Sequence, residues 1–336
     1  MKYKEVSVII PVRNEKKYLK DCIVSLLKQD YEKENMEVIF VDGMSEDGTT
    51  EILEEYVSRY SGFIQILMNP KKIVPVAMNL GIKASSGNYI IRLDAHSHYP
   101  EDYISKCVYY LEHTEADNVG GLAPANGKSY IGKAFSMVLS SKFGVGNSDF
   151  RTGAQSGYVD TVPFGAFRRE TFDKYGYYDE RLVRNQDYEL NYRIRKQGGK
   201  IYLANDICLS YQCRETLSGI IKQNFENGKW NVLTYFLSPG SMSIRHFIPL
   251  LFVLSLIIMP ILSFIPVFCY LFIAEILLYL ALDFGVTIYL AVNNGMKYIP
   301  ILLILFPTFH ICYGAGSFVA LFQLISLKGR KRNELV

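Results

Sequence analysis

One tryptophan and six cysteines are all that this 336-residue chain has of two chemically telling residue types. The cysteines (Cys22, Cys107, Cys208, Cys213, Cys269 and Cys312) are scattered, none forms a CxxC pair, and two fall in an apolar region. That excludes a disulfide framework and a cysteine zinc site, and fits a reducing compartment. Phosphate-cradling signatures are missing too. There is no GxxxxGK[ST], and no GxGxxG follows the first apolar run, so a P-loop ATPase and a dinucleotide dehydrogenase are both excluded. Gly43-Met44-Ser45-Glu46-Asp47-Gly48 has one spacer too many for a GxSxG nucleophile elbow.

Charge is the third scarcity, and it is local. Residues 247–327 carry only Glu275, Asp283 and Lys297, whereas the first 246 residues hold 31 of the 36 Lys+Arg and 30 of the 33 Asp+Glu. The chain therefore reads as a soluble domain followed by a membrane domain. A net charge of +3 leaves no footprint for nucleic acid. The apolar run Val6–Val12 is too short for a signal peptide, so the soluble part is expected in the cytoplasm.

What is present begins with alternation. Val6–Pro11, Val38–Val41, Ile64–Met68 and Tyr89–Leu93 read as strands, and Glu15–Gln29, a stretch from Thr49 to Arg59, and Val74–Ala84 read as helices. Such alternation predicts an α/β fold with a doubly wound, mostly parallel sheet. Further along, short strands are expected near Asn118–Gly121 and Val162–Ala166, with a helix over Gln186–Gln197. In an open α/β sheet, ligands bind beyond the carboxyl ends of the strands. Those ends here are Pro11-Val12-Arg13-Asn14-Glu15, Asp42 and Asp94-Ala95-His96. Carboxylates converging in one crevice repel unless donors or a cation join them. A base, a ribose and a metal-bound diphosphate would meet that need, although Asp42 taken alone is also a turn former and His96 or His98 a surface histidine.

Five motifs in order carry a resemblance. Ser7-Val8-Ile9-Ile10-Pro11-Val12-Arg13-Asn14-Glu15, Asp42-Gly43-x-Ser45-x-Asp47-Gly48-Thr49, Arg92-Leu93-Asp94-Ala95-His96, Val162-Pro163-Phe164-Gly165-Ala166-Phe167-Arg168-Arg169 and Asn185-Gln186-Asp187-Tyr188-Glu189-Leu190 resemble glycosyltransferase family 2, of GT-A fold. Gly228-Lys229-Trp230 and His310-x-x-Tyr313-Gly314-x-Gly316 are similar to its succinoglycan-biosynthesis branch. The resemblance implies that Pro11, Val12, Arg13, Glu15, Asp42 and Asp94 bind the nucleotide. Asp94 and His96 take the metal-binding DxD positions, where His departs from the usual carboxylate and favours Mn²⁺ over Mg²⁺. Asp187 takes the place of the catalytic base, with Gln186 replacing the commoner Glu. Glu189 is expected to pair with Arg193 at i,i+4. Gln223 and Trp230 resemble, at longer spacing and without the Arg, the QxxRW element of processive synthases. They are read either as acceptor-phosphate contacts or as interfacial anchors.

The implied activity is an inverting transfer from a nucleotide sugar, expected to be a UDP-sugar, to a polyprenyl-diphosphate-linked saccharide at a bacterial cell membrane. The alternatives are a processive polysaccharide synthase and a non-catalytic membrane scaffold. The expected organisation is a GT-A domain over 1–215, an amphipathic interfacial helix region over 216–246, about three transmembrane helices over 247–327 and a basic tail over 328–336. Pro260 or Pro266 is expected at a turn, with Pro307 and Gly314-Ala315-Gly316 breaking the last crossing. Three crossings would put the tail outside, against the positive-inside rule, whereas an even number or a re-entrant segment would not. Glu275 and Asp283, costly in lipid, are functional candidates eight residues apart.

Overall fold

The computed structural model describes residues 4–326, so the expected basic tail lies outside the described residues. The chain forms two compact units: residues up to Pro124 with Asp149–Gln212, and Ala125–Ser148 with the chain from Cys213 onward.

The first unit is built on strands β1 (Val6–Val12), β2 (Met36–Asp42), β3 (Ile64–Met68), β4 (Tyr89–Arg92), β5 (Asn118–Leu122), β6 (Gly157–Tyr158), β7 (Ala166–Arg168) and β8 (Ile201–Cys208). They form one sheet in the order β3-β2-β1-β4-β7-β5-β8-β6. Pairs β1/β2, β1/β4, β2/β3 and β5/β8 are parallel, while β7 lies antiparallel between β4 and β5. Helices cover both faces, so β1 and β2 are buried on both sides and read as continuous apolar runs. Val8, Ile10, Val38 and Phe40 join Leu19, Cys22, Ile23 and Leu26 of the helix Lys16–Leu27 in one core layer. Ile9, Ile39 and Val41 join Ala77, Met78 and Ile82 of the helix Val74–Ala84 in the other. Each such aliphatic side chain contributes about 2 kcal/mol by leaving water. Ser7 interrupts β1 safely because its hydroxyl donates to Glu37 Oε1 at 2.7 Å and accepts from Gly87 N at 2.8 Å.

One strand is displaced from its expected place. The pattern suggested Val162–Ala166, but pairing starts at Ala166. Pro163 has no N–H to give a ladder, and Phe164 sits at φ 47°, outside the extended region.

In the second unit, residues 125–148 amend the expected 1–215 boundary. They pack with the C-terminal helices rather than extending the sheet's own unit. Their aromatic residues explain this. Tyr130 stacks on Tyr298 at 5.2 Å and its hydroxyl donates to the Lys297 carbonyl at 2.5 Å. Phe135 meets Phe309, Phe143 meets Phe306, and His310 Nε2 lies 3.0 Å from the Phe143 carbonyl.

The helix Leu217–Leu237 lies within the expected 216–246 region. Its buried residues include the small or polar Asn224, Gly228, Asn231 and Thr234 as well as Ile220, Val232, Leu233 and Leu237. The buried side meets the helix Ile299–Ser326 at close range. A Cβ on Gly228 would strike the Tyr313 carbonyl, one on Gly316 the Phe225 carbonyl, and one on Gly314 the Pro249 carbonyl. Ser317 Oγ donates to the Gly228 carbonyl at 2.9 Å, and the Asn231 amide donates to the Tyr313 hydroxyl. Small residues that let backbones approach are how helices associate where lipid supplies no hydrophobic drive. Gly314-Ala315-Gly316 therefore packs the last helix instead of breaking it.

Three helices are long and apolar enough to cross a membrane: Ile244–Leu262, Pro266–Asn294 and Met296–Leu324. Pro266 opens the second after a three-residue turn, and Pro307 lies inside the third without ending it. Along the second, Glu275, Tyr279, Asp283 and Thr287 recur every four residues on one face. Glu275 accepts from Ser255 Oγ at 2.5 Å, Tyr279 Oη lies 2.9 Å from His310 Nδ1, and Thr287 Oγ1 lies 3.4 Å from Asp283 Oδ1. Gly228→Val is expected to destabilise this bundle by about 3 kcal/mol, through overpacking against backbone that cannot give way. Thermal unfolding in detergent should show the loss. A Gly228→Val protein that melts with the wild type would contradict the close-packing account.

Candidate active site

The loops after β1 and β2 form one wall. Asn14 N donates to Ser45 Oγ at 2.9 Å, and Glu46 N donates back to Asn14 Oδ1 at 2.9 Å. Glu15 N reaches Thr49 Oγ1 at 2.9 Å, and Lys16 N reaches Asp47 Oδ2 at 3.1 Å. Asn14 and Met44 take left-handed backbone at φ 56° and 59°, and Gly48, at φ 95°, supplies the freedom that the turn into the helix Thr49–Arg59 requires. Two motifs far apart in sequence are thus one physical object.

Asp42 ends β2 inside this wall. It is fully buried: Oδ1 accepts from Ser45 N at 3.1 Å and Ser45 Oγ at 2.6 Å, and Oδ2 accepts from Thr50 Oγ1 at 2.5 Å. In this conformation the carboxylate shapes the pocket by holding the turn. Pro11 and Glu15 are half-buried, Val12 is buried and Arg13 exposed, with the Arg13 stem against Gly43.

Asp94 follows β4 and is anchored through its backbone. Its N–H donates to Tyr99 Oη at 2.7 Å, and that buried phenol donates to the Asp94 carbonyl at 3.2 Å. His96 Nδ1 lies 3.2 Å from Glu15 Oε1, which brings the first and third motifs together. Cys22 lies beneath; burial, then Asp94 and Glu15, push its thiol up to about 12, so it is no nucleophile. Among the described residues, no group of three or more His, Cys, Asp or Glu is placed to hold a metal. Asp94 and His96 offer one carboxylate and one imidazole. That set suits a divalent cation whose remaining ligands are substrate phosphate and water, and not a closed protein cage.

Asp187 opens the helix Gln186–Lys196, after Asn185 at φ 59°. It is half-buried, and Tyr188 N donates to its Oδ1 at 3.0 Å. A carboxylate in the first turn is favoured by the helix dipole. Glu189, two residues on, is buried and forked to Arg193 at 2.9 and 2.7 Å, the structural pairing expected of it. Gln223 and Trp230 belong to the other unit, where Trp230 packs with Val232, Leu233 and Ala320.

Sequence reasoning passed over Arg92. It is 7% exposed at the end of β4, with Nη2 3.5 Å from Asp94 Oδ1 and the guanidinium 5.8 Å from the centre of the Phe164 ring. A charged residue inside the apolar run Tyr89-Ile90-Ile91-Arg92-Leu93 was the available signal.

The family model described as Glycosyl transferase family 2 matches residues 7–176. The chain belongs to that family. It is 27% identical over 313 residues to the succinoglycan biosynthesis protein ExoA of Rhizobium meliloti (strain 1021), covering 92% of each chain. It is 28% identical over 270 residues to a dolichyl N-acetyl-alpha-D-glucosaminyl phosphate 3-beta-D-2,3-diacetamido-2,3-dideoxy-beta-D-glucuronosyltransferase of Methanococcus voltae, covering 77% of this chain and 83% of that one. Among solved structures, the mannosyltransferase PcManGT of Pyrobaculum calidifontis, in complex with GDP-Man and Mn²⁺, superimposes with TM-score 0.59 at 16% identity, over 96% of this chain and 88% of that one. That likeness establishes the GT-A fold, and the family makes this chain a glycosyltransferase.

The wall has a pH limit. Thr49 Oγ1 and the N–H groups of Lys16 and Thr49 hold the Asp47 carboxyl below its ordinary range against a smaller opposing effect of burial. A carboxyl depressed in the folded state stabilises above its unfolded value near ~3.9, and that contribution is lost as pH falls through the folded value. Asp47→Asn should therefore melt a few degrees below wild type at pH 7 and together with it near pH ~2, in a thermal scan across pH. A gap that persists at low pH would contradict the assignment.

Proposed function

We propose that the protein is a membrane-attached, inverting glycosyltransferase. It would move a sugar from a nucleotide sugar, a UDP-sugar in the first instance, to a lipid-linked saccharide in the synthesis of a polysaccharide or surface glycan. The observation that carries the reading is the gathering of Glu15, Asp94 and His96 at the carboxyl ends of adjacent parallel strands, beside a wall built from the loops after β1 and β2. This is the edge at which open α/β sheets bind ligands. Pro11, Val12 and Arg13 would line the nucleotide, with Asp42 acting through the turn that it holds.

Asp94 and His96 would hold a divalent cation, Mn²⁺ before Mg²⁺ because of the imidazole. Such an ion offsets the charge of a departing diphosphate. Asp187 would take the proton from the acceptor hydroxyl as that oxygen attacks the anomeric carbon, in a single displacement that inverts the centre. Its half-burial leaves it open to an acceptor hydroxyl, and the helix dipole favours a carboxylate in the first turn.

The three apolar helices support membrane attachment. The succinoglycan and dolichyl-linked activities in the relatives' names support a lipid-borne acceptor. Anchoring enzyme and acceptor in one membrane raises their effective concentration without any new contact. The catalytic unit is placed in the cytoplasm on this reading, where nucleotide sugars are made. Gln223 and Trp230 would meet the acceptor's phosphate or anchor at the lipid boundary.

The test is nucleoside-diphosphate release by the detergent-solubilised protein with UDP-glucose, UDP-GlcNAc and GDP-mannose, with Mn²⁺, Mg²⁺ or EDTA, and with membrane lipid extract as acceptor source. Metal-dependent turnover of one donor is expected. Asp187→Asn should lower kcat by about 10³-fold while leaving UDP affinity within about threefold, because it removes a base and not a ligand contact. Equal loss of UDP affinity would remove Asp187 from the base role. Failure of the wild type with every donor would favour a non-catalytic scaffold.

A further inference from the structure

Arg92 is more deeply buried than any carboxylate of the site except Asp42. Its Nη2 stands 3.5 Å from Asp94 Oδ1, yet Nε and Nη1 are buried with no hydrogen-bond partner among the described residues. Leaving two charged donors unpaired in a protein interior is costly, so such an arrangement needs a compensating use. The surroundings show what fixes it. Its N–H donates to the Gly165 carbonyl at 3.0 Å, and the ring of Phe164, held at φ 47°, lies beneath the guanidinium. Tyr178, buried and clamped at its backbone by Asn79 at 3.0 and 2.9 Å, faces it as well. A left-handed backbone on a bulky residue is rare and marks segments under functional constraint.

Burial works against the charge of Arg92, but Asp94, with Tyr178 and Asp187 after it, outweighs that effect and keeps the guanidinium charged. Arg92 is thereby a charged partner of Asp94, the carboxylate to which the proposed function gives the metal.

We propose that Arg92 is a positioning residue: one buried cation, paired with Asp94 and seated on Phe164, that sets the placement of the Asp94 carboxylate in the transfer site. It acts through Asp94 and does not touch the sugar, since Nε and Nη1 are closed to solvent and the residue is almost wholly buried. The unpaired Nε and Nη1 give it spare donors for the Asp94 carboxylate as that group shifts during turnover. Phe164 and Gly165, from a motif otherwise without a task, form its seat. The inference rests on the proposed reading of Asp94.

The experiment compares wild type, Arg92→Gln and Arg92→Lys in full-length solubilised protein. It measures nucleoside-diphosphate release from the donor that the wild type turns over, Mn²⁺–UDP affinity by calorimetry, and melting temperature. Arg92→Gln should lower kcat about 100-fold with donor KM changed less than about tenfold, and Arg92→Lys, which restores charge without the fork, should recover at least about tenfold of the kcat loss. In an Asp94→Ala background, Arg92→Gln should weaken Mn²⁺–UDP binding by no more than about threefold further, as expected of residues that act as a unit. A folded Arg92→Gln with wild-type kcat would overturn the proposal, as would an Arg92→Lys no better than Arg92→Gln. If the Gln variant does not fold, the Lys variant decides: a folded protein about tenfold slower supports positioning, and one with wild-type kcat and KM overturns it. A wild type that neither turns over a donor nor binds UDP sinks the parent reading and this proposal with it, whereas an active wild type with indifferent Arg92 variants sinks this proposal alone.

Discussion

Parallel strands that lie side by side end at one edge, and in this chain that edge collects negative charge. Glu15, Asp42 and Asp94 all fall there, at or just beyond the ends of adjacent strands. Like charges at that range destabilise a fold unless each has a partner, and the rest of the catalytic unit can be understood as the supply of those partners. Asp42 is satisfied by the hydroxyls of Ser45 and Thr50, Glu15 by His96, and Asp94 by Arg92. The differences among these solutions matter. Asp42 is buried, and both its oxygens hold the turn that follows β2. Asp94 and His96 remain partly exposed, and on the proposed function they would face a cation and a diphosphate.

The helical unit, whose three long apolar helices could cross a membrane, answers a different constraint. Where the surroundings are as apolar as the side chains, burial of leucine gives little, and close backbone approach with internal hydrogen bonds takes over. Gly228, Gly314, Gly316 and Ser317 provide the approach, and Asn231 with Tyr313 provides a polar tie. The residues that resemble the succinoglycan branch in this region are therefore accounted for by packing: His310 and Tyr313 bond across the unit, and the two glycines admit neighbouring backbones.

Much of the catalytic unit was legible because strong periodicity and local chemistry agree. Ile64–Met68 and Val74–Ala84 have the bounds that their patterns predict, since each is an apolar element flanked by turn residues. The misses have physical causes. Val162–Ala166 is apolar enough for a strand, but Pro163 and the left-handed Phe164 forbid the ladder, and nothing in a hydropathy pattern reports φ. Residues 125–148 look like ordinary loop and helix, and only the tertiary partners of Tyr130, Phe135 and Phe143 assign them to the other unit. Glycines at 314 and 316 read as helix breakers by propensity, which close packing overrides. Asp42 could be placed at a strand end from sequence, but that both its oxygens are occupied could not. Of the candidate site, the strand ends were legible in the sequence, whereas the hydrogen bonds that tie Asp42 to its turn and Glu15 to His96 were not.

The central claim is that Asp94 and His96 form, with bound nucleotide, a metal-dependent diphosphate site. Calorimetric titration of UDP into the solubilised wild type and into Asp94→Ala, each with Mn²⁺ and with EDTA, tests it most directly. The account predicts binding in the micromolar range with Mn²⁺, at least about tenfold weaker in EDTA, and no metal dependence in Asp94→Ala. Equal UDP affinity in all four titrations would contradict it.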